Sequence, residues 1–179
     1  VLEEVGWTTN RPTAIFHGAS PSSGKDVPTH LFHNALGWLI EQDYQVLCTG
    51  LASDAPMYDS LIKANIPVIN LAGITTLRQL VPLYKKANLV LSIDSSPIHI
   101  AAAVGVPHIV GIYGPTNEKQ WGPYSETTNF VPVVADIPCR PCHAPNPCHK
   151  NWAHLLNEEQ IKAAVEQCLS PSTEPVTIG

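Results

Sequence analysis

"SIDSSPIHIAAAVGVPHIVGIYGPT", residues 92–116, sets four polar side chains where an apolar chain would be expected. Asp94, Ser95, Ser96 and His99 stand between Leu89-Val90-Leu91, which reads as a buried strand, and Ala101-Ala102-Ala103, which reads as a buried helix. Ser96 followed by Pro97 is an ordinary helix start, because proline at the first helical position gives up an N–H that has no partner there anyway. That accounts for Ser96, and for Asp94 as a local cap. It leaves His99, one turn into the helix and on a face shared with Ser95 or Ser96, without a reason. A helix N-terminus carries unpaired N–H groups and a partial positive charge, so it favours an anion such as phosphate. The stretch therefore reads as a strand, a polar ligand-facing loop and a helix, followed by the next strand at Pro107–Tyr113.

The same alternation extends in both directions. Short apolar runs predict strands at Thr13–His17, Gln45–Thr49, Pro67–Leu71, Leu89–Ile93 and Pro107–Tyr113. Helices are predicted at Thr29–Glu41, Pro56–Ala64, Thr76–Lys86, Pro97–Val104 and Asn157–Leu169. In the last of these, Asn157 is a cap-like residue, and Ile161, Ala164, Val165 and Cys168 recur at helical spacing on one face. Alternating βα units with apolar strands imply an α/β fold: a Rossmann-like parallel sheet with helices on both faces. Ligands in such sheets bind at the carboxyl ends of the strands, the edge to which Asp94–His99 is assigned.

Bulk properties narrow the function. With 179 residues, 44% apolar and 14% charged, the chain is expected to form one domain with a real core over 1–170 and a flexible tail over 171–179. A net charge of −5 gives no electrostatic case for nucleic acid. No apolar run reaches the roughly 18 residues of a membrane span, and no signal peptide is visible. Residue 1 is Val, so the chain is expected to be part of a longer protein.

Two further loops follow predicted strands. "HGASPSSGKDVP", residues 17–28, offers Ser20, other hydroxyls and Lys25 to an anion; a solvated loop with a surface lysine explains it equally well. It fits neither the P-loop pattern nor G-x-G-x-x-G. In "TGLASDAP", residues 49–56, Asp54 could bond a ribose hydroxyl or merely cap the helix beginning near Pro56. Four of the five cysteines fall late, as C-x2-C-x5-C-x19-C: Cys139, Cys142, Cys148 and Cys168, with His143, His149 and His154 nearby. C-x2-C is a common half-site for tetrahedral zinc, but the second half is irregular and Cys168 lies on the core face of its helix. The expectation is that no metal is required. The alternative is a metal-binding interaction module built on these four cysteines.

Taken together, these loops resemble the C-terminal half of glycosyltransferase family 9, the ADP-heptose:lipopolysaccharide heptosyltransferases. The resemblance is carried by Ser92 to Ala103 and by Ile112-Tyr113-Gly114-Pro115-Thr116. It is supported upstream by "AGITTLRQLVPLYKKANLVLSID" and downstream by "PCRPCHAPNPC", and it runs from about Ala14 to Leu169. It implies the donor-binding half of a two-domain GT-B glycosyltransferase. The acceptor domain, with the general base, is expected upstream in the chain. Lys25 would contact donor phosphates, Asp54 would face the nucleoside, Asp94, Ser95, Ser96 and His99 would grip the diphosphate and sugar, and Ser20 would lie near the phosphates. No cofactor is implied. The implied partners are an ADP-heptose-like donor, a glycan or lipid-linked acceptor and the N-terminal domain. The implied location is cytoplasmic, at the inner face of the inner membrane.

Three positions depart from the family pattern: Ser96 for Gly, Asp54 for Glu, and Ala153 where a fourth cysteine falls. A non-catalytic nucleotide- or sugar-binding module is the other reading. UDP-sugar 2-epimerases share the GT-B fold, but their catalytic acids are not recognisable here.

Overall fold

In a computed structural model that describes residues 5–20, 25, 27–142 and 152–170, six parallel strands form one sheet. The strands are β1 (Thr13–His17), β2 (Gln45–Cys48), β3 (Val68–Asn70), β4 (Leu89–Ile93), β5 (His108–Tyr113) and β6 (Asn129–Val134). Their spatial order is β3-β2-β1-β4-β5-β6. The chain builds outward from β1 in one direction, then crosses back to start β4 on its other side. Neighbouring loops diverge between β1 and β4, which opens a crevice at the carboxyl edge.

Strand side chains alternate strictly between two cores, as a sheet covered on both faces requires. Phe16, Val46, Cys48, Leu89, Leu91 and Val110 face one core, with α1 (His33–Glu41), α2 (Ala55–Lys63) and α6 (Glu158–Leu169). Ile15, Leu47, Val90, Ile109 and Tyr113 face the other, with α3 (Leu77–Tyr84) and α4 (Ser96–Ala103). The alanines of α4 let that helix lie close to the sheet, and Gly105, at φ 78°, ends it in the left-handed conformation that closes a helix C-terminus. In α6 the Asn157 and Gln160 side chains cap each other's backbone N–H groups at 2.9 and 3.0 Å. Its buried face is Ile161, Ala164, Val165 and Cys168, as its spacing predicts.

The five predicted strands and five predicted helices are all present, with ends shifted by one or two residues; Thr29–Phe32 forms a 3-10 turn leading into α1. Among the described residues one α-helix and one strand are additional, besides 3-10 turns at Ala52–Asp54 and Trp152–Leu155. α5 (Glu118–Trp121) is a single short turn. β6 carries Pro132, which argues against a strand when read alone. As the last strand of the order it needs no hydrogen bond on its outer side, so an edge position accommodates the proline. Among the described residues no helix is long and apolar enough to cross a membrane.

Gly114, at the end of β5, lies under the Trp152 indole, and a Cβ there would run into the ring. Gly114→Ala is expected to destabilise the chain by about 1–3 kcal/mol through overpacking, read as a lower urea midpoint at unchanged slope. An unchanged midpoint would mean that Trp152 moves aside without cost.

Candidate donor-phosphate site

The crevice between β1 and β4 is spanned by one ion pair. Lys25, in the loop after β1, donates from Nζ to Asp94 Oδ2 at 2.7 Å and to the Asp94 carbonyl at 3.1 Å. Asp94 directly follows β4, and its own N–H is held by the Ile112 carbonyl of β5. Its side chain is 8% exposed and that of Lys25 27%, so the carboxylate is the more deeply buried partner of the pair. A carboxylate this buried requires partners. The second is Thr116, whose hydroxyl donates to the same Oδ2 at 2.5 Å. In the fold the Asp94 carboxylate holds the lysine. An ammonium has three N–H donors. Two are used on Asp94, which leaves one uncommitted among the described residues.

α4 begins beside this pair. Ser95 is its extended N-cap residue and makes no side-chain capping bond; Pro97 is in the first turn. Ser96 and His99 are both exposed on that turn, in line with the shared face inferred from their spacing. Ser20 is half-buried in the loop after β1. Asp54 stands at the N-cap position of α2 but does not act as its cap. Its Oδ2 turns back to accept the Leu51 N–H at 2.7 Å, and Oδ1 accepts from the Ser53 hydroxyl at 3.3 Å, closing the 3-10 turn Ala52–Asp54.

A polar network beneath the β1 and β2 loops was not singled out from the sequence. His17 Nδ1 lies 3.2 Å from Thr49 Oγ1, which lies 3.3 Å from the Tyr84 hydroxyl. The Tyr58 hydroxyl accepts the Gly18 N–H at 3.2 Å and donates to the Thr49 carbonyl at 2.8 Å, tying the two loops together. Burial pushes the Tyr84 phenol up to about 12 and raises that of Tyr58. The visible signal was positional: His17 and Thr49 each end a predicted strand.

Arg140 was also missed. Nε donates to the Gly114 carbonyl at 2.8 Å and the Thr116 carbonyl at 3.1 Å; Nη2 donates to the Thr116 carbonyl as well and pairs with Glu118 at 2.5 Å. The Cys142 N–H donates to the Pro115 carbonyl at 2.8 Å. This hydrogen bond from Arg140, before any other cause, holds the Glu118 carboxyl below its usual range.

Cys168 stands apart from the other described cysteines of the metal alternative. Cys168 Sγ is buried at the amino ends of β5 and β6, donating to the Ile109 and Asn129 carbonyls at 3.7 and 3.4 Å. Burial raises its thiol to about 11. Cys142 is bonded beyond the carboxyl end of β5, roughly 20 Å away at about 3.3 Å per strand residue. No ion within thiolate reach of Cys142 can also reach Cys168. Cys148, His143 and His149 lie outside the described residues. Among the described residues no three of His, Cys, Asp and Glu cluster as metal ligands.

Residues 3–153 match the family model "Glycosyltransferase family 9 (heptosyltransferase)". The chain belongs to this family. Its relatives include a lipooligosaccharide heptosyltransferase 2 of Haemophilus influenzae, 32% identical over 123 residues, which span 65% of this chain and 35% of that protein. A family 9 glycosyl transferase structure from Veillonella parvula superposes with a TM-score of 0.75 at 22% identity, over 93% of this chain and 49% of that one. An E. coli heptosyltransferase, WaaC, superposes with a TM-score of 0.68 at 22% identity, over 90% of this chain and 45% of that one. The fold is thus the α/β fold of GT-B heptosyltransferases, and the chain spans about a third to a half of the relatives it matches.

The network makes a pH prediction. Burial lowers the His17 pKa from 6.5, against the opposing effects of the Asp54 carboxylate and of backbone hydrogen bonds at Thr49 and Ala19. The unfolded chain therefore takes up this proton first as pH falls, so the stability associated with neutral His17 is complete above 6.5 and is lost as pH drops toward the lower native value. His17→Gln is expected to flatten the fall in urea midpoint between pH 7 and about 5.5; an identical slope in the variant would contradict it.

Proposed function

We propose that residues 1–170 form the donor-binding domain of a heptosyltransferase-like glycosyltransferase. In this reading the site between β1 and β4 holds the diphosphate of an ADP-sugar while the sugar passes to a lipopolysaccharide-type or other glycan acceptor. The observation that carries it is the Lys25–Asp94 pair bridging the crevice at the mouth of α4. Support comes from two E. coli WaaC structures described as containing ADP and ADP-2-deoxy-2-fluoro heptose. The acceptor, and the acceptor-side domain that would complete the cleft, belong to the same proposal.

Each residue has a task in this proposal. The remaining donor of Lys25 and the Ser96 N–H at the start of α4 meet the phosphates, supplying positive potential as the glycosidic bond breaks and charge builds on the departing diphosphate. In this reading the Ser95 hydroxyl and the His99 imidazole donate to phosphate oxygens, Ser20 lies nearby, and Ser96 contributes its backbone N–H rather than its hydroxyl. Asp94 fixes the lysine. Asp54, occupied with its own turn, retains a role toward the nucleoside only if one lone pair of the carboxylate reaches a ribose hydroxyl. No residue here is assigned as general base. Ser96, where the family carries Gly, favours a second reading in which nucleotide binding persists without transfer.

Calorimetric titration tests the site. Lys25→Ala is expected to weaken ADP by about 10- to 100-fold, the scale of a charge-assisted hydrogen bond, with adenosine unaffected. Equal losses for both ligands would remove the phosphate role. Ser96→Gly is expected to preserve or improve ADP binding, since it clears a side chain from a backbone–ligand approach; a loss of tenfold or more would make the hydroxyl itself a contact.

A further inference from the structure

We propose that Arg140 is a positioning residue for Lys25, acting through Thr116 and Asp94; this rests on the donor-phosphate reading above. The segment 140–142 engages three successive carbonyls of the loop after β5. Arg140 takes those of Gly114 and Thr116, and the Cys142 N–H takes that of Pro115. A guanidinium's rigid fork of donors suits this, because it fixes both distance and orientation where a flexible lysine would not. Glu118 completes the clasp from the start of α5.

What the clasp holds is the Thr116 backbone, and with it the direction of the Thr116 hydroxyl. That hydroxyl and Lys25 Nζ converge on one oxygen, Asp94 Oδ2, at 2.5 and 2.7 Å. With Thr116 fixed, Asp94 has one favoured rotation and the ammonium one seat beside it. With Thr116 released, the carboxylate can turn and the lysine loses its aim. The Cys139–Cys142 segment thus reaches the anion site through its arginine and a backbone amide.

The test is an ADP and adenosine titration of the chain and of Arg140→Ala, Arg140→Lys, Thr116→Val, Thr116→Ser, Lys25→Ala and Lys25→Ala/Arg140→Ala, with thermal melts of each. Arg140→Ala and Thr116→Val are expected to weaken ADP about 5- to 10-fold and leave adenosine unchanged, with Thr116→Ser restoring binding to within about twofold and Arg140→Lys not restoring it. On the Lys25→Ala background, Arg140→Ala is expected to cost nothing further, because its effect passes through the lysine. The same loss in both backgrounds, or parallel losses of ADP and adenosine, would overturn the proposal. Should Arg140→Ala fail to fold, the valine and serine variants of Thr116 decide the matter, since valine removes the hydroxyl at nearly constant shape and serine keeps it without the methyl. If Lys25→Ala itself does not distinguish ADP from adenosine, the donor-phosphate reading falls and this inference with it. If Lys25→Ala does distinguish them and the Arg140 and Thr116 variants do not, only the positioning role falls.

Discussion

A carboxylate at the end of a strand covered on both faces must be neutralised or hydrogen-bonded, and Asp94 is both. Burying an unpaired charge costs several kcal/mol, so the fold is constrained to bring a cation to it. The cation comes from a loop across the crevice, and the hydroxyl from the loop after the next strand. Three strand-end loops, after β1, β4 and β5, are thereby mutually fixed through one oxygen atom. Parallel topology makes this possible, because every loop that follows a strand emerges at the same edge.

The scaffold around that oxygen is rigid by other means. On one side of the crevice Tyr58 and Thr49 join the β1 and β2 loops through a backbone N–H and a backbone carbonyl. On the other, Arg140 and Cys142 hold the β5 loop by its carbonyls. Backbone groups are used at both margins, which leaves the exposed side chains of Ser96 and His99 clear of structural duty among the described residues.

Local pattern made much of this readable. Leu89–Ile93 and its neighbours declare buried parallel strands because they are apolar without alternation, and Asn157 announces α6 because a cap and a helical stripe agree. β6 was hidden because Pro132 speaks against a strand unless the strand is known to lie at an edge, and edge position is a property of the whole sheet. The candidate residues of the site were legible as types in loops, but not their pairing: Lys25 and Asp94 are 69 residues apart, and nothing local tells a lysine which carboxylate it will meet. Asp54 was misread as a cap of α2 for a related reason, since whether a side chain caps forward or folds back depends on the turn already formed. Cys168 read correctly as core because its helical face was visible, whereas the role of Arg140 required the β5 loop to be in place beneath it.

The two margins of the sheet bear on how the molecule behaves in a crowded solution. An open parallel sheet offers unpaired N–H and C=O groups along its outermost strands, a ready template for another chain. Here one margin is β3, only three residues long, and the other is β6, whose exposed Pro132 has no amide hydrogen to donate. A newcomer could align for at most a few residues on the first and would meet a break in the ladder on the second. The proline that obscures the strand from a reader of the sequence thus also discourages growth of the sheet from one copy into the next.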